Sequence, residues 1–439
     1  MWPAVRAGAW HRAWLVERDG HGRQEQLGAL AHLSLWFTPT AMSLVAFNRF
    51  VGENPRMTDY PRLNPPVRLL CGPGPSNIHP QVLEAMQQPM LGHLDPEFHR
   101  ILEQLVDLLS EVYRRDDGLT IALSASGTSG MEAGIASLLE PGETAIVAAA
   151  GFFGNRIVDI ARRHGANVID LRAPYGQAVA NERILDELAK HPDTRLVAVV
   201  HAETSTGVGH PLQELAEGMH GSDALLMADC VTSLGSMELE PQRWGVDYCY
   251  SCSQKCLGAP PGISPVSLSP RAMERIGQRT TPPPFSFDFE LLARYWIERP
   301  PVYHHTTPNV QYYALYEGVR LALEEGLENR WARHAEAGGH FQQGMRDRGF
   351  EMLAEPELQL AALSAVRVPE GIDGKEVQSR MLEEHGIEVG GGLGPDAPPI
   401  WRVGLMGVNA HVETADRLLE AFDAVLAPDR TSVALGSSS

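Results

Sequence analysis

Apolar positions from Asp95 onward recur at helical spacing. Ile101, Leu102, Leu105, Leu108, Leu109 and Val112 share one face, Asp95 is placed to cap, and Pro96 suits the first turn. The pattern then changes to short, unbroken apolar runs at 145–150, 168–171, 196–200, 225–228 and 248–253. A run without polar alternation predicts a strand covered on both faces, as in a parallel sheet. Helical stretches at 155–164 and 211–220 intervene, so the alternation predicts an α/β fold: a mainly parallel, doubly wound sheet sandwiched by helices. A long helical segment over 310–338 follows the prolines at 282–284. Beyond it, strands at 363–368 and 401–405 with helices at 375–385 and 412–426 predict a smaller C-terminal α+β domain.

On this reading residues 1–56 are an N-terminal extension outside the fold, 57–86 an arm, 87–325 a large domain, 326–428 a small domain and 429–439 a flexible tail. The long apolar run at 27–47 is interrupted by His32, Pro39 and several hydroxyl residues. It is a poor membrane span and begins too late for a secretory signal, so no membrane partner is expected.

Composition narrows the chemistry. The charge sum, 36 basic against 55 acidic residues, is −19, the wrong sign for a nucleic-acid footprint. Lysine occurs only at Lys190, Lys255 and Lys375. The five cysteines, Cys71, Cys230, Cys249, Cys252 and Cys256, are an odd number in a long chain, which argues against a disulfide framework and for a reducing, cytoplasmic compartment. Cys249, Cys252 and Cys256 have tempting spacings, but no second Cys or His pair completes four ligands, and no metal site is expected.

Lys190 and Lys375 stand at polar helix ends, where lysine is ordinary. Lys255 follows an apolar strand and precedes a Gly/Pro cluster, in Ser-Gln-Lys-Cys-Leu-Gly-Ala-Pro-Pro-Gly, where burial would penalise its charge. A desolvated amine of lowered pKa is a nucleophile toward carbonyls. Asp229 closes the strand Leu-Leu-Met-Ala-Asp, 26 residues before Lys255 (255 minus 229). Alone it could cap a helix or form a salt bridge; with Lys255 on the next strand it also suits a pyridine nitrogen, which needs an anion to stay protonated. Ser126-Gly127-Thr128 open a helix after the strand-like 120–123 and would seat a phosphate, or merely cap. Phe153, in Gly-Phe-Phe-Gly-Asn-Arg, could lie against a ring or simply pack. Arg402, within Ile-Trp-Arg-Val-Gly-Leu, demands an anion, either a neighbouring Asp or Glu or a substrate carboxylate.

In this order the residues resemble the class V, fold type I pyridoxal-phosphate aminotransferases, closest to the alanine–glyoxylate and serine–pyruvate branch. The similarity runs from about residue 69 to 426. Its carriers are Gly-Pro-Gly-Pro-Ser-Asn at 72–77, Glu-Thr-Ser-Thr-Gly at 203–207, Ser-Gln-Lys at 253–255, Tyr-His-His-Thr at 303–306 and Gly-Gly-Leu-Gly-Pro at 391–395. The resemblance implies a seven-stranded-type sheet and pyridoxal 5'-phosphate as cofactor. Lys255 would bond its aldehyde, Asp229 pair with its ring nitrogen, and Phe153 and Val231 pack on the ring. Ser126, Gly127, Thr128 and Gln254 would hold the phosphate, Thr204 would stand near the 3-hydroxyl, and Tyr303 and Thr306 would reach in from the partner subunit of a homodimer with active sites at the interface. Arg402, with Gly74 and Ser76, would bind the substrate. Three positions depart from the family's commoner residues: Phe153 for tryptophan, Thr128 for histidine and Thr204 for serine. Each keeps an aromatic face or a hydroxyl.

The reaction implied is transamination of a small amino acid, alanine or serine, with glyoxylate or another small keto acid, giving glycine or its analogue. The freed Lys255 would move the α-proton. Ureidoglycine–glyoxylate and serine–glyoxylate aminotransferases share the cofactor residues and stay open. A cysteine desulfurase would need a cysteine in the small domain, and none follows Cys256. A nicotinamide-dependent oxidoreductase would need Gly-x-Gly-x-x-Gly after the first strand, which is missing.

Overall fold

The computed structural model describes residues 60–436, which include every expected site residue. The expected extension at 1–56, with its apolar run, lies outside them. The chain divides into two units, Met1–Pro66 and Val67–Ser439. Of the first, 60–66 is an exposed stretch without helix or strand. The division at Pro66 cuts the expected arm at 57–86, and the second unit carries all the elements below.

Its centre is a seven-stranded sheet: β1 (Leu119–Leu123), β2 (Thr144–Ala149), β3 (Asn167–Arg172), β4 (Thr194–Val200), β5 (Leu225–Asp229), β6 (Tyr248–Tyr250) and β7 (Ser264–Leu268). The spatial order is β1-β7-β6-β5-β4-β2-β3. All neighbours are parallel except β7, which is antiparallel to both β1 and β6. The mainly parallel α/β architecture is the expected one, whereas β7 was not among the expected strands. Its sequence, Ser-Pro-Val-Ser-Leu, hides a buried strand because its hydroxyls are satisfied inside: Ser264 donates to the Ser251 carbonyl at 2.7 Å, and Ser267 pairs with Thr120 at 3.0 Å. The apolar run at 248–253 yields a strand only to Tyr250. The N–H groups of Ser251 and Ser253 turn instead to the carbonyls of Pro265 and Ile263, at 2.9 and 3.0 Å.

Helices α1 (Pro96–Val112), α2 (Gly127–Leu138), α3 (Phe152–Arg163), α4 (Asn181–Lys190) and α5 (Leu212–Gly218) cover the sheet. Asp95 caps α1 by accepting from Glu97 N at 2.8 Å. The segment expected as one helix over 310–338 is two, α6 (Asn309–Glu325) and α7 (Leu327–Asp347). They meet at Gly326, whose φ of 83° and ψ of 132° no helix contains and only glycine adopts easily.

A second apolar cluster, including Phe341, Trp401 and Phe422, is built by α7, a three-stranded antiparallel sheet and two helices. The strands are β8 (Leu363–Arg367), β9 (Gly390–Gly391) and β10 (Ile400–Gly404), in the order β8-β10-β9; the helices are α8 (Gly374–His385) and α9 (Val412–Gly436). Helix α9 passes the expected end at 426, so residues 429–436, expected as a flexible tail, are helical. They contain no proline, and no glycine before Gly436. Leu69–Leu70 pairs in parallel with Ile387–Glu388 and anchors the loop that follows it.

Candidate active site

The carboxyl ends of β1, β2, β4, β5 and β6 converge, the place where parallel sheets bind ligands. There a cavity of about 240 Å3 is lined by ten of the expected residues: Gly74, Ser126, Gly127, Thr128, Phe153, Thr204, Asp229, Val231, Gln254 and Lys255. Sites for drug-sized ligands run from about 300 to 1,000 Å3. The cavity suits a small cofactor rather than a dinucleotide.

Lys255 is buried, 8% exposed. Burial holds its amine below the ordinary lysine range, which favours the neutral, nucleophilic form of Nζ. Nζ donates to the Pro73 carbonyl. The Gly72–Asn77 loop is shaped around this side chain. A Cβ on Gly74 would stand 2.6 Å from Lys255 Cδ and 2.7 Å from Cε and Nζ, and Gly74 has a φ of +103°. Ser76, expected to meet substrate, commits its hydroxyl to the Lys255 carbonyl at 3.0 Å, while its N–H donates to the Gln254 carbonyl at 3.0 Å. In this chain it therefore fixes the backbone that carries the lysine.

Asp229 ends β5, 2% exposed. Burial pushes its carboxyl up to about 6, against the opposing pull of the Tyr250 hydroxyl, which donates at 2.6 Å, and of Val231 N–H at 2.9 Å. The β5–β6 register places Tyr250 directly beside Asp229. The sequence reading missed Tyr250; a phenol at that register position was the available signal.

Glu203 is fully buried. One carboxylate oxygen accepts from Ser205 N–H at 3.0 Å and Ser205 Oγ at 2.6 Å. The other accepts from Phe153 and Gly154 N–H, both at 3.1 Å, and Ser205 Oγ in turn accepts from Phe152 N–H at 2.8 Å. The Glu-Thr-Ser-Thr-Gly motif is thus a cap supplied from a distance to α3, whose own N-cap, Gly151, has no side chain. This explains why α3 begins at Phe152 rather than near the expected 155, and it sets the position of Phe153.

Arg402, on β10, is 7% exposed, and burial draws its guanidinium down to about 10. Nε donates to the Gly391 carbonyl at 2.6 Å, and Nη1 to the Thr204 carbonyl at 3.3 Å. Among the described residues no carboxylate lies within 4.0 Å of it, which removes the structural ion pair as its anion; Glu203 acts on it only at longer range. Tyr303 is 55% exposed and Thr306 is exposed, and neither lines the cavity of its own chain. Met131, Arg156, Ala202 and Cys252 line it without having been expected. The five cysteines are buried and unpaired. Among the described residues no group of three or more His, Cys, Asp or Glu could hold a metal ion, and no helix is long and apolar enough to cross a membrane.

Residues 68–406 match the family model for aminotransferase class V. The chain belongs to the class V aminotransferases. It is 38% identical to the alanine–glyoxylate aminotransferase of Rattus norvegicus over 364 residues, 82% of this chain and 88% of that one. It is 33% identical to the (S)-ureidoglycine–glyoxylate transaminase of Bacillus subtilis (strain 168) over 392 residues, 85% and 94% of the two chains. The solved structure of an alanine–glyoxylate aminotransferase from Nostoc sp. superposes with a TM-score of 0.81 at 45% identity, covering 84% of this chain and 97% of that one.

This class V aminotransferase is a fold type I transaminase, and its cofactor is pyridoxal phosphate. The cavity fits that group. It offers a buried amine, a buried carboxyl, hydroxyls at the start of α2 and, in Gln254, a side-chain amide whose N–H2 can donate.

Proposed function

We propose that this aminotransferase moves the amino group of alanine or serine to glyoxylate or pyruvate, giving glycine or its analogue and the corresponding keto acid. The observation that carries this reading is Arg402, a buried guanidinium without a carboxylate partner among the described residues, which does not itself line the cavity but donates to the carbonyl of Thr204, a residue that does. It is a fixed clamp for one carboxylate. The names of the mammalian and Nostoc relatives favour alanine as donor.

Pyridoxal phosphate, when bound, supplies an electron sink for the bond broken at the substrate's α-carbon. Lys255 Nζ would hold the cofactor's aldehyde, and its amine is the base that would carry the proton from the substrate's α-carbon. Asp229 would hold the ring nitrogen's proton, with the Tyr250 hydroxyl fixing the carboxylate's orientation. Ser126, Gly127, Thr128 and Gln254 would hold the phosphate, Thr204 would stand near the 3-hydroxyl, and Phe153 and Val231 would pack on the ring. Gly74 leaves the space in which the lysine moves. Tyr303 and Thr306, exposed in their own chain, complete the site of the partner subunit in a homodimer. The reducing interior suited to five free cysteines is the cytoplasm.

An absorption spectrum of the purified protein tests this reading. The visible band of the bound cofactor is expected to bleach on adding alanine or serine and to return on adding glyoxylate. Bleaching by ureidoglycine alone would replace the proposed donor, and a protein that acquires no such band would sink the reading. Lys255→Ala is expected to abolish both band and turnover.

A further inference from the structure

Arg156 was not among the expected site residues, yet it joins two parts of the cavity. It lies on α3 three residues past Phe153 (156 minus 153). Its Nη1 donates to Thr128 Oγ1 at 2.9 Å, at the start of α2. Its guanidinium carbon lies 5.1 Å from the centroid of the Phe153 ring and 4.9 Å from that of Phe152, within cation–π range of both.

The placement runs against ordinary electrostatics. A cation near the N-terminus of a helix is disfavoured, and Arg156 stands near the starts of both α2 and α3. In a chain with 55 acidic residues to 36 basic ones, no carboxylate among the described residues lies within 4.0 Å of it. Glu203, the acid at the start of α3, is engaged by Ser205, Phe153 and Gly154. Thr128 offers only a neutral hydroxyl. A guanidinium so held, lining the cavity and partnered by aromatic faces, is matched to an anion arriving from within the cavity.

We propose that Arg156 is the residue by which this enzyme selects the phosphorylated form of its cofactor. Its guanidinium, donating to Thr128 Oγ1 and within cation–π range of the Phe153 ring, would supply the charge to a phosphate seated at Ser126, Gly127 and Thr128. The proposal rests on the cavity being the pyridoxal-phosphate site, and the test separates the two.

Apoprotein is titrated with pyridoxal phosphate and with pyridoxal, which lacks only the phosphate, and dissociation constants are read from protein fluorescence. Arg156→Gln keeps a donor toward Thr128 but removes the charge. It is expected to weaken pyridoxal phosphate by about tenfold or more and pyridoxal by no more than about twofold, collapsing the preference ratio. Arg156→Lys keeps the charge and is expected to hold that ratio within about threefold of wild type. An unchanged ratio in Arg156→Gln overturns the proposal, whether both affinities hold or both fall. So does a collapsed ratio in Arg156→Lys, the variant that decides the matter if the glutamine variant fails to fold. If wild type binds no pyridoxal phosphate, the cofactor reading itself fails, and the selection with it.

Discussion

Asp229 shows how burial sets a pH range. Its carboxyl, held up to about 6 by desolvation, is neutral in the apoprotein at mildly acid pH. Because the folded value is raised above the unfolded one of about 3.9, the stabilisation it brings is complete below about pH 4 and is lost as pH rises through about 6. The ring nitrogen's proton needs the ionised form. Affinity for pyridoxal phosphate is therefore expected to fall as pH drops below about 6, by up to tenfold per pH unit, and Asp229→Asn is expected to erase that limb. Tyr250→Phe removes the 2.6 Å donor that favours the carboxylate, and should move the limb upward by about one to two pH units. Equilibrium binding across pH 5 to 8 checks both, and a limb that survives in Asp229→Asn belongs to another group. Arg402→Ala is expected to weaken alanine in the first half-reaction by roughly 100-fold with little change in cofactor affinity. An unchanged half-reaction would remove Arg402 from the substrate site.

At the scale of elements, the informative case is α3. Its first turn has no local cap, and three of its N–H groups are satisfied by Glu203 and Ser205 from the stretch after β4. Glu203→Ala leaves two of them, the N–H groups of Phe153 and Gly154, without an acceptor. It is expected to cost about 2–4 kcal/mol in denaturant unfolding, with Ser205→Ala costing about 1 kcal/mol. Equal small effects for the two would mean that water replaces the carboxylate. The same element shows why its start was read late: the pattern of 155–164 is legible as a helix, but a cap from about 50 residues away (203 minus 153) leaves no local mark. The strand β7 was obscured for a related reason, since its serines look solvent-facing until their buried partners are known.

At the scale of the whole molecule, the exposure of Tyr303 and Thr306 makes the proposed homodimer testable. Sedimentation is expected to give a mass near twice 48.0 kDa, about 96 kDa. Mixing Lys255→Ala with Thr306→Ala subunits is expected to restore up to about one intact site in a mixed dimer, because each supplies what the other lacks. No restored turnover in a mixture shown to exchange subunits would place Thr306 in its own chain's site.

The sequence by itself determined the reaction class and picked out ten residues that the fold brings to one cavity. Lys255, Asp229, the opening of α2 and Arg402 were all legible, because a scarce lysine, a carboxylate at a strand end and an arginine in an apolar run each cost free energy unless they have a partner. The mainly parallel sheet was legible for the plainer reason that strands covered on both faces are apolar throughout. Only the tertiary structure decided which groups act on those residues. Tyr250 beside Asp229, Glu203 beneath α3, Ser76 against the Lys255 carbonyl and Arg156 between Thr128 and Phe153 are contacts between segments far apart in the chain. Periodicity and local motifs carry the preferences of each segment alone; which donor meets which acceptor is fixed when the strands pair in register and the loops at their ends are brought together.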